Sequence, residues 1–185
     1  MKTAVIFAPG FEEGEALTIV DILRRANIPC DIAGFMEETE GAHQIVVKSD
    51  IIVSEELNDY DMVILPGGYD GSAYMRDNAL LQGILKTRNE AGKWIAAMCA
   101  APIALETAGV LDHHKYTAYV GYDKKIKAGT YLEDKVVVDG NLVTSRGPAT
   151  VYAFAYKLVD VLGGDSLTVK KRMVYFNAFD VKEDE

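Results

Sequence analysis

The chain has 185 residues, 49% apolar and 25% charged, enough for one substantial core and unlike a disordered polymer. A net charge of −9 and a pI near 4.8 oppose a nucleic-acid footprint, and the basic triplet Lys170-Lys171-Arg172 reads as a solvated face. No apolar run reaches the roughly 20 residues of a membrane-spanning helix, and the first segment is too short for a secretory signal. Two cysteines make neither a disulfide framework nor a zinc site. The expectation is one soluble cytoplasmic domain over residues 1–185, with two free thiols and no metal.

In chain order, residues 4–8 form a short apolar run ending in Pro-Gly, as a buried first strand does. Residues 13–27 have helical spacing, with Ala16, Ile19, Val20, Leu23 and Ala26 on one face and Asn27 and Pro29 as the stop. Residues 30–35 read as a second strand, 37–41 as an acidic turn, and 44–54 as a strand or a hairpin pair. Met62–Leu65 is a continuous apolar run opening into Pro66-Gly67-Gly68. Residues 78–91 read as a helix with Leu80, Leu81, Ile84 and Leu85 on its apolar side, Trp94–Met98 as a buried strand, and 102–108 as a helix capped by Gly109. Residues 116–120 and 136–138 read as strands. The second of these pairs with 141–144 across the hairpin turn Asp139-Gly140. A long helix starts at Pro148, runs to about Leu162 and ends at Gly163-Gly164, and the tail from Lys182 frays.

Strands alternating with helices predict an α/β fold: a mostly parallel sheet with helices on both faces. In such sheets, sites lie beyond the strands' C-terminal edge. Three features fall there: residues 9–15, residues 66–68, and Cys99.

Cys99 sits between a buried strand and a helix, in Ala96-Ala97-Met98-Cys99-Ala100-Ala101-Pro102. A strand that turns sharply into a helix at one residue forms a nucleophile elbow, and the small neighbours Ala97 and Ala101 allow the turn to close. A helix N-terminus favours a thiolate there. The backbone N–H of Ala100 can donate to an oxyanion, and the Gly67-Gly68 turn can bring another. In Phe11-Glu12-Glu13-Gly14-Glu15, the first two glutamates suit a helix start. Glu15 can instead meet the thiol, either as a protonated hydrogen-bond donor that lowers the cysteine pKa or as an ionised general base. His43, His113 and His114 read as exposed loop residues, and Cys30 as structural.

These segments, with Val20-Asp21-Ile22-Leu23-Arg24-Arg25-Ala26, Leu65-Pro66-Gly67-Gly68 and Thr144-Ser145-Arg146-Gly147-Pro148, resemble the ThiJ/PfpI superfamily and, within it, the DJ-one-like branch. The resemblance covers nearly the whole chain. It implies a flavodoxin-like three-layer sandwich, of the broader class I glutamine amidotransferase-like kind, and a homodimer. It also implies that Cys99 is the reactive thiol, Glu15 its protonated partner, and Gly67, Gly68 and Ala100 the backbone donors. Such a thiol is readily oxidised to a sulfinate. Many relatives carry a histidine near the thiol where this chain has Tyr119, which argues against a complete Cys-His-acid triad and against a protease. Tyr119 and Arg146 are expected to line the site.

The resemblance implies cofactor-independent chemistry on small reactive aldehydes: glyoxalase III-like conversion of methylglyoxal to lactate, or a related deglycase activity, in the hydrolase or lyase class. The alternative is a non-enzymatic oxidative-stress sensor or redox-dependent chaperone acting through Cys99. Nucleotide binding lacks a G-x-G-x-x-G or P-loop motif. The dimer contact is expected from the first helix, through Leu17, Val20, Asp21 and Arg24, and from residues 46–53.

Overall fold

The computed structural model describes residues 1–176 and residue 178; the expected frayed tail lies outside them. In chain order the first elements are β1 (Thr3–Phe7), α1 (Glu13–Arg25), β2 (Cys30–Gly34), β3 (Glu38–Glu40), β4 (Val46–Lys48), β5 (Ile51–Ile52) and β6 (Met62–Leu65). Then come α2 (Tyr69–Asp77), α3 (Ala79–Glu90), β7 (Trp94–Met98), α4 (Pro102–Thr107), β8 (Lys115–Tyr116) and β9 (Thr130–Tyr131). The chain closes with β10 (Val136–Asp139), β11 (Leu142–Ser145), α5 (Val151–Val161) and α6 (Ser166–Arg172).

Seven strands form the main sheet in the order β10-β11-β7-β6-β1-β2-β5, parallel throughout except for the β10–β11 hairpin. The central strand β6 and its neighbour β1 are buried along their full length, and so is its other neighbour β7 after Trp94; their continuous apolar runs follow from cover on both faces. Helices α1 and α5 pack together over one face, and α2, α3 and α4 over the other. This is the flavodoxin-like three-layer arrangement. Among the described residues no helix is long and apolar enough to cross a membrane.

Several elements differ from the reading of the sequence. The acidic turn at 37–41 is in part a strand: β3 pairs antiparallel with β4, burying Thr39 and leaving Glu38 and Glu40 in water. Only Ile51 and Ile52 of the 44–54 segment join the main sheet. Helix α2 carried no periodic signal, because only Gly71, Ser72 and Met75 of its nine residues are buried. The expected strand at 116–120 stops after Tyr116. Beyond it the backbone bonds elsewhere: Thr117 donates to Thr144 Oγ1 (2.9 Å) and Tyr119 to the Cys99 carbonyl (2.8 Å). In α3, Leu80 faces solvent and Arg88 takes the buried position instead.

Arg88 is 0% exposed and has no carboxylate bonded to it; it donates to the carbonyls of Leu57 (2.6 Å), Tyr60 (2.8 Å) and Trp94 (2.9 Å). It ties α3 to the ends of two strands, and burial lowers its pKa to about 10. Removing the guanidinium orphans three carbonyls, so Arg88→Met is expected to cost about 3 kcal/mol in urea unfolding.

Candidate functional site

Strand β7 delivers Cys99 to the C-terminal edge of the sheet. The residue adopts φ +58°, a left-handed conformation that costs a side-chain-bearing residue roughly 1–2 kcal/mol. Its backbone is held at both ends: the N–H donates to Ser145 O (3.1 Å), and the carbonyl accepts from Tyr119 N (2.8 Å). Ala97, Ala100 and Ala101 are fully buried, so larger side chains have no room beside the turn. Helix α4 has only six residues, so the electrostatic help at the sulfur comes from local N–H groups more than from a helix dipole.

The loop after β6 passes directly over this elbow. A Cβ on Gly67 would overlap Cys99 Cβ and lie 2.7 Å from Glu15 Oε2 and 2.8 Å from Cys99 Sγ. Gly68, at φ +93°, would collide with the Gly10 carbonyl if it carried one. Both positions therefore require glycine, the first for space and the second also for conformation.

Glu15, in the first turn of α1, is completely buried. Its Oε2 accepts from the Gly67 N–H at 2.7 Å. Its Oε1 is buried with no hydrogen-bond partner among the described residues, and the carboxyl lies beside the Cys99 thiol against the Gly67 turn, where the thiol lowers the Glu15 pKa. Burial raises the Glu15 pKa to about 7, against the pull of the Gly67 N–H and the thiol. Burial also pushes Cys99 up, an ionised Glu15 pushes it further, and the N–H groups of Gly68 and Ala100 pull it down. Two anions do not fit side by side in this enclosure, so the pair titrates as a unit. With the proton on Glu15 its repulsion disappears, and the sulfur keeps the Gly68 and Ala100 donors. Gly67, expected to face an oxyanion, instead gives its N–H to Glu15. Cys30 differs: it is buried beside Thr3, burial raises its pKa to about 11, and it lines neither the cavity over Cys99 nor the depression beside Tyr119.

Cys99 is 8% exposed and opens into a cavity of about 410 Å³. Gly68, Ala100 and Pro148 line its floor and side, and Tyr69 and Tyr119 form an aromatic wall. The two tyrosine rings meet edge to face with centroids 6.1 Å apart, and a hydrogen bond between their side chains raises the Tyr69 pKa. The remaining wall is Glu12, Asp70, Ala42 and His43. Arg146 does not reach this cavity. It lies in an adjoining shallow depression beside Tyr119 and pairs with Glu133 at 3.2 Å.

The β3–β4 hairpin brings in His43, which is exposed but belongs to the rim. Its Nδ1 lies 2.8 Å from Glu13 Oε2, and its N–H donates to Glu13 Oε1 (2.7 Å). Glu12, Glu13 and His43 turn ligand atoms to within 4.8 Å of one another, which makes them the candidates for a metal among the described residues. Glu13 and His43 already satisfy each other there. His114 is half-buried rather than exposed, 3.5 Å from Asp139, and does not line the cavity over Cys99. Pro148 closes a segment quoted from the sequence but was read there only as a helix start, and His43 only as an exposed loop residue. Tyr69 and Asp70 were not picked out, although they directly follow the Gly67-Gly68 turn, so adjacency was a usable signal for both, whereas His43 arrives through a hairpin with no motif.

A mostly parallel sheet with a left-handed cysteine at the end of an inner strand, and a buried acid beside it, defines a flavodoxin-like protein with a cysteine at a strand-to-helix elbow. The DJ-1/PfpI family profile matches residues 1–161, and the chain belongs to that family. It is 39% identical to protein dj-1beta of Drosophila melanogaster, over 86% of this chain and 88% of that one. It is 31% identical to the glutathione-independent glyoxalase DJR-1.2 of Caenorhabditis elegans, over 90% and 92%. The crystal structure of Drosophila melanogaster DJ-1beta superposes with a TM-score of 0.87 at 37% identity, covering 94% of this chain and 97% of that one.

The buried acid sets a pH dependence of stability. The folded chain holds the Glu15 proton up to about pH 7, whereas an unfolded chain releases it near 4.5, so this contribution is complete below 4.5 and is lost as pH rises through 7. In a Cys99→Ala background, which removes the coupled thiol, Glu15→Gln is expected to abolish a loss of roughly 3 kcal/mol across that window. Urea midpoints of the two chains at either end of the window check it.

Proposed function

We propose that this protein is a cofactor-independent glyoxalase-type enzyme acting on small reactive carbonyls, with Cys99 as nucleophile and Glu15 as its proton partner. The observation that carries the reading is the buried carboxyl set beside a thiol that opens into a cavity. A relative similar along 90% of this chain, named as a glutathione-independent glyoxalase, supports it.

With methylglyoxal, the Cys99 thiolate adds to the aldehyde carbon, forming a C–S bond. The Glu15 proton goes to the new oxyanion and gives a hemithioacetal. The Glu15 carboxylate then takes the proton from that carbon, and the electron pair passes to the neighbouring carbonyl oxygen as an enediolate. Return of that proton to the second carbon, as the hydroxyl proton of the first carbon passes to the oxygen of the second, leaves a lactoyl thioester. The first carbon has been oxidised and the second reduced, so no external electron acceptor is needed. Water then cleaves the C–S bond, releasing lactate and restoring the thiol. The N–H groups of Gly68 and Ala100, which already donate toward the sulfur, stand beside the developing oxyanion. The Tyr69–Tyr119 pair supplies hydroxyl groups on the facing wall, where a histidine would otherwise assist.

A second reading, a redox sensor through oxidation of Cys99, uses the same donors to hold a sulfinate, and free volume above the sulfur favours it. A homodimer accompanies either reading. Leu17 on α1, Val46 and Ile52 are exposed apolar side chains on the expected contact, whereas Val20 is buried inside the subunit. Equilibrium sedimentation reporting a monomer at micromolar concentration removes that part.

The purified protein is expected to convert methylglyoxal to lactate, with Cys99→Ala abolishing turnover and Glu15→Gln lowering kcat at least about 100-fold. Absence of lactate, together with uptake of two oxygens by Cys99 at low peroxide, transfers the assignment to the sensor.

A further inference from the structure

The cavity over Cys99 has a sign. Glu12 and Asp70 both line it, and among the described residues no lysine or arginine does. His43 brings the one basic group on the wall, but its Nδ1 lies 2.8 Å from Glu13 Oε2 and 3.7 Å from Glu12 Oε1. Those two acids raise the His43 pKa, so its charge is held between carboxylates. Counting that cation in full, Glu12, Glu13 and Asp70 still outnumber it. The nearby arginines are engaged outside the cavity, Arg76 with Asp77 and Arg146 with Glu133. The facing wall does not offset this, because the π faces of Tyr69 and Tyr119 attract cations and repel anions.

An electrophile must cross this rim to reach the sulfur, and a carboxylate on it meets like charge and aromatic faces, with no lysine or arginine among this chain's described residues lining the way. We propose that the cavity admits neutral and cationic electrophiles to Cys99 and rejects carboxylate-bearing ones. The substrate class is then neutral or amine-bearing 2-oxoaldehydes, with carboxylate-bearing 2-oxoaldehydes such as 4,5-dioxopentanoate excluded. The assignment of substrates rests on the glyoxalase reading above, whereas the charge selection at the thiol does not.

The test uses two alkylating reagents of nearly equal size, neutral iodoacetamide and anionic iodoacetate. With either, the thiolate forms a C–S bond as iodide leaves, and mass spectrometry locates the product on Cys99. Each rate constant is divided by that of a short peptide carrying the Cys99 sequence. The ratio of the two reagents cancels any change in thiolate fraction. At low salt the normalised iodoacetate rate is expected to fall about tenfold below the iodoacetamide rate. Glu12→Gln with Asp70→Asn is expected to bring the two rates within about threefold. Asp70→Asn alone, at an exposed side chain, gives the same direction should the double variant not fold. Equal normalised rates, an unchanged ratio in both variants, or a Cys99 inert to both reagents overturns the proposal.

Turnover adds the substrate arm. Methylglyoxal is expected to exceed 4,5-dioxopentanoate, a 2-oxoaldehyde with a carboxylate, in kcat/KM by about tenfold or more, while the neutral methyl ester of that carboxylate recovers most of the loss; equal values for methylglyoxal and the carboxylate overturn the proposal. Absence of turnover on either substrate removes the enzyme reading, and the alkylation ratio still decides the charge selection.

Discussion

The site depends on one proton held between a carboxyl and a thiol in an enclosure that cannot hold two anions. Nearly every local feature serves that arrangement. The left-handed turn at Cys99 aims the sulfur outward, Gly67 leaves room for it, and the Gly67 N–H fixes Glu15 beside it. Burial makes Glu15 a weak acid, and the weak acid in turn makes an anionic sulfur tolerable. Three separate strand ends, those of β1, β6 and β7, converge to build the pair, so the sheet's register sets the distance between its members.

The two cysteines illustrate how position governs the chemistry of one side chain. Cys30 begins an interior strand next to Thr3, with burial opposing ionisation and a nearby hydroxyl as its modest compensation. Cys99 is as well shielded by its neighbours, yet it has two backbone donors, a carboxyl and an opening to solvent. Burial alone would make both inert. The difference lies in the directed N–H groups, which a strand interior spends on its ladder and an elbow leaves free.

Much of the fold was legible because parallel strands covered on both faces carry continuous apolar runs: β1, β6 and β7 stand out in the sequence for that reason. The β10–β11 hairpin was legible from Asp139-Gly140, and α1 from its apolar face. Helix α2 was not, since a helix that buries two small residues and a methionine has no periodicity to read. The segment after Tyr116 has β-favouring composition but bonds to a threonine side chain and to the elbow, a tertiary outcome that local propensity does not contain. The thiol and its acid could be picked out by their placement at the sheet edge. The charged rim could not, because His43 reaches the cavity through a small hairpin whose pairing depends on contacts distant in sequence.

Because the backbone of Cys99 is anchored through both its amide and its carbonyl, the sulfur cannot retreat by rotating the main chain. Any group joined to it grows outward, and Gly67 and Glu15 block growth on the inner side. The roughly 410 Å³ beyond the sulfur is therefore the space into which a covalent adduct extends, along the tyrosine wall and toward the rim.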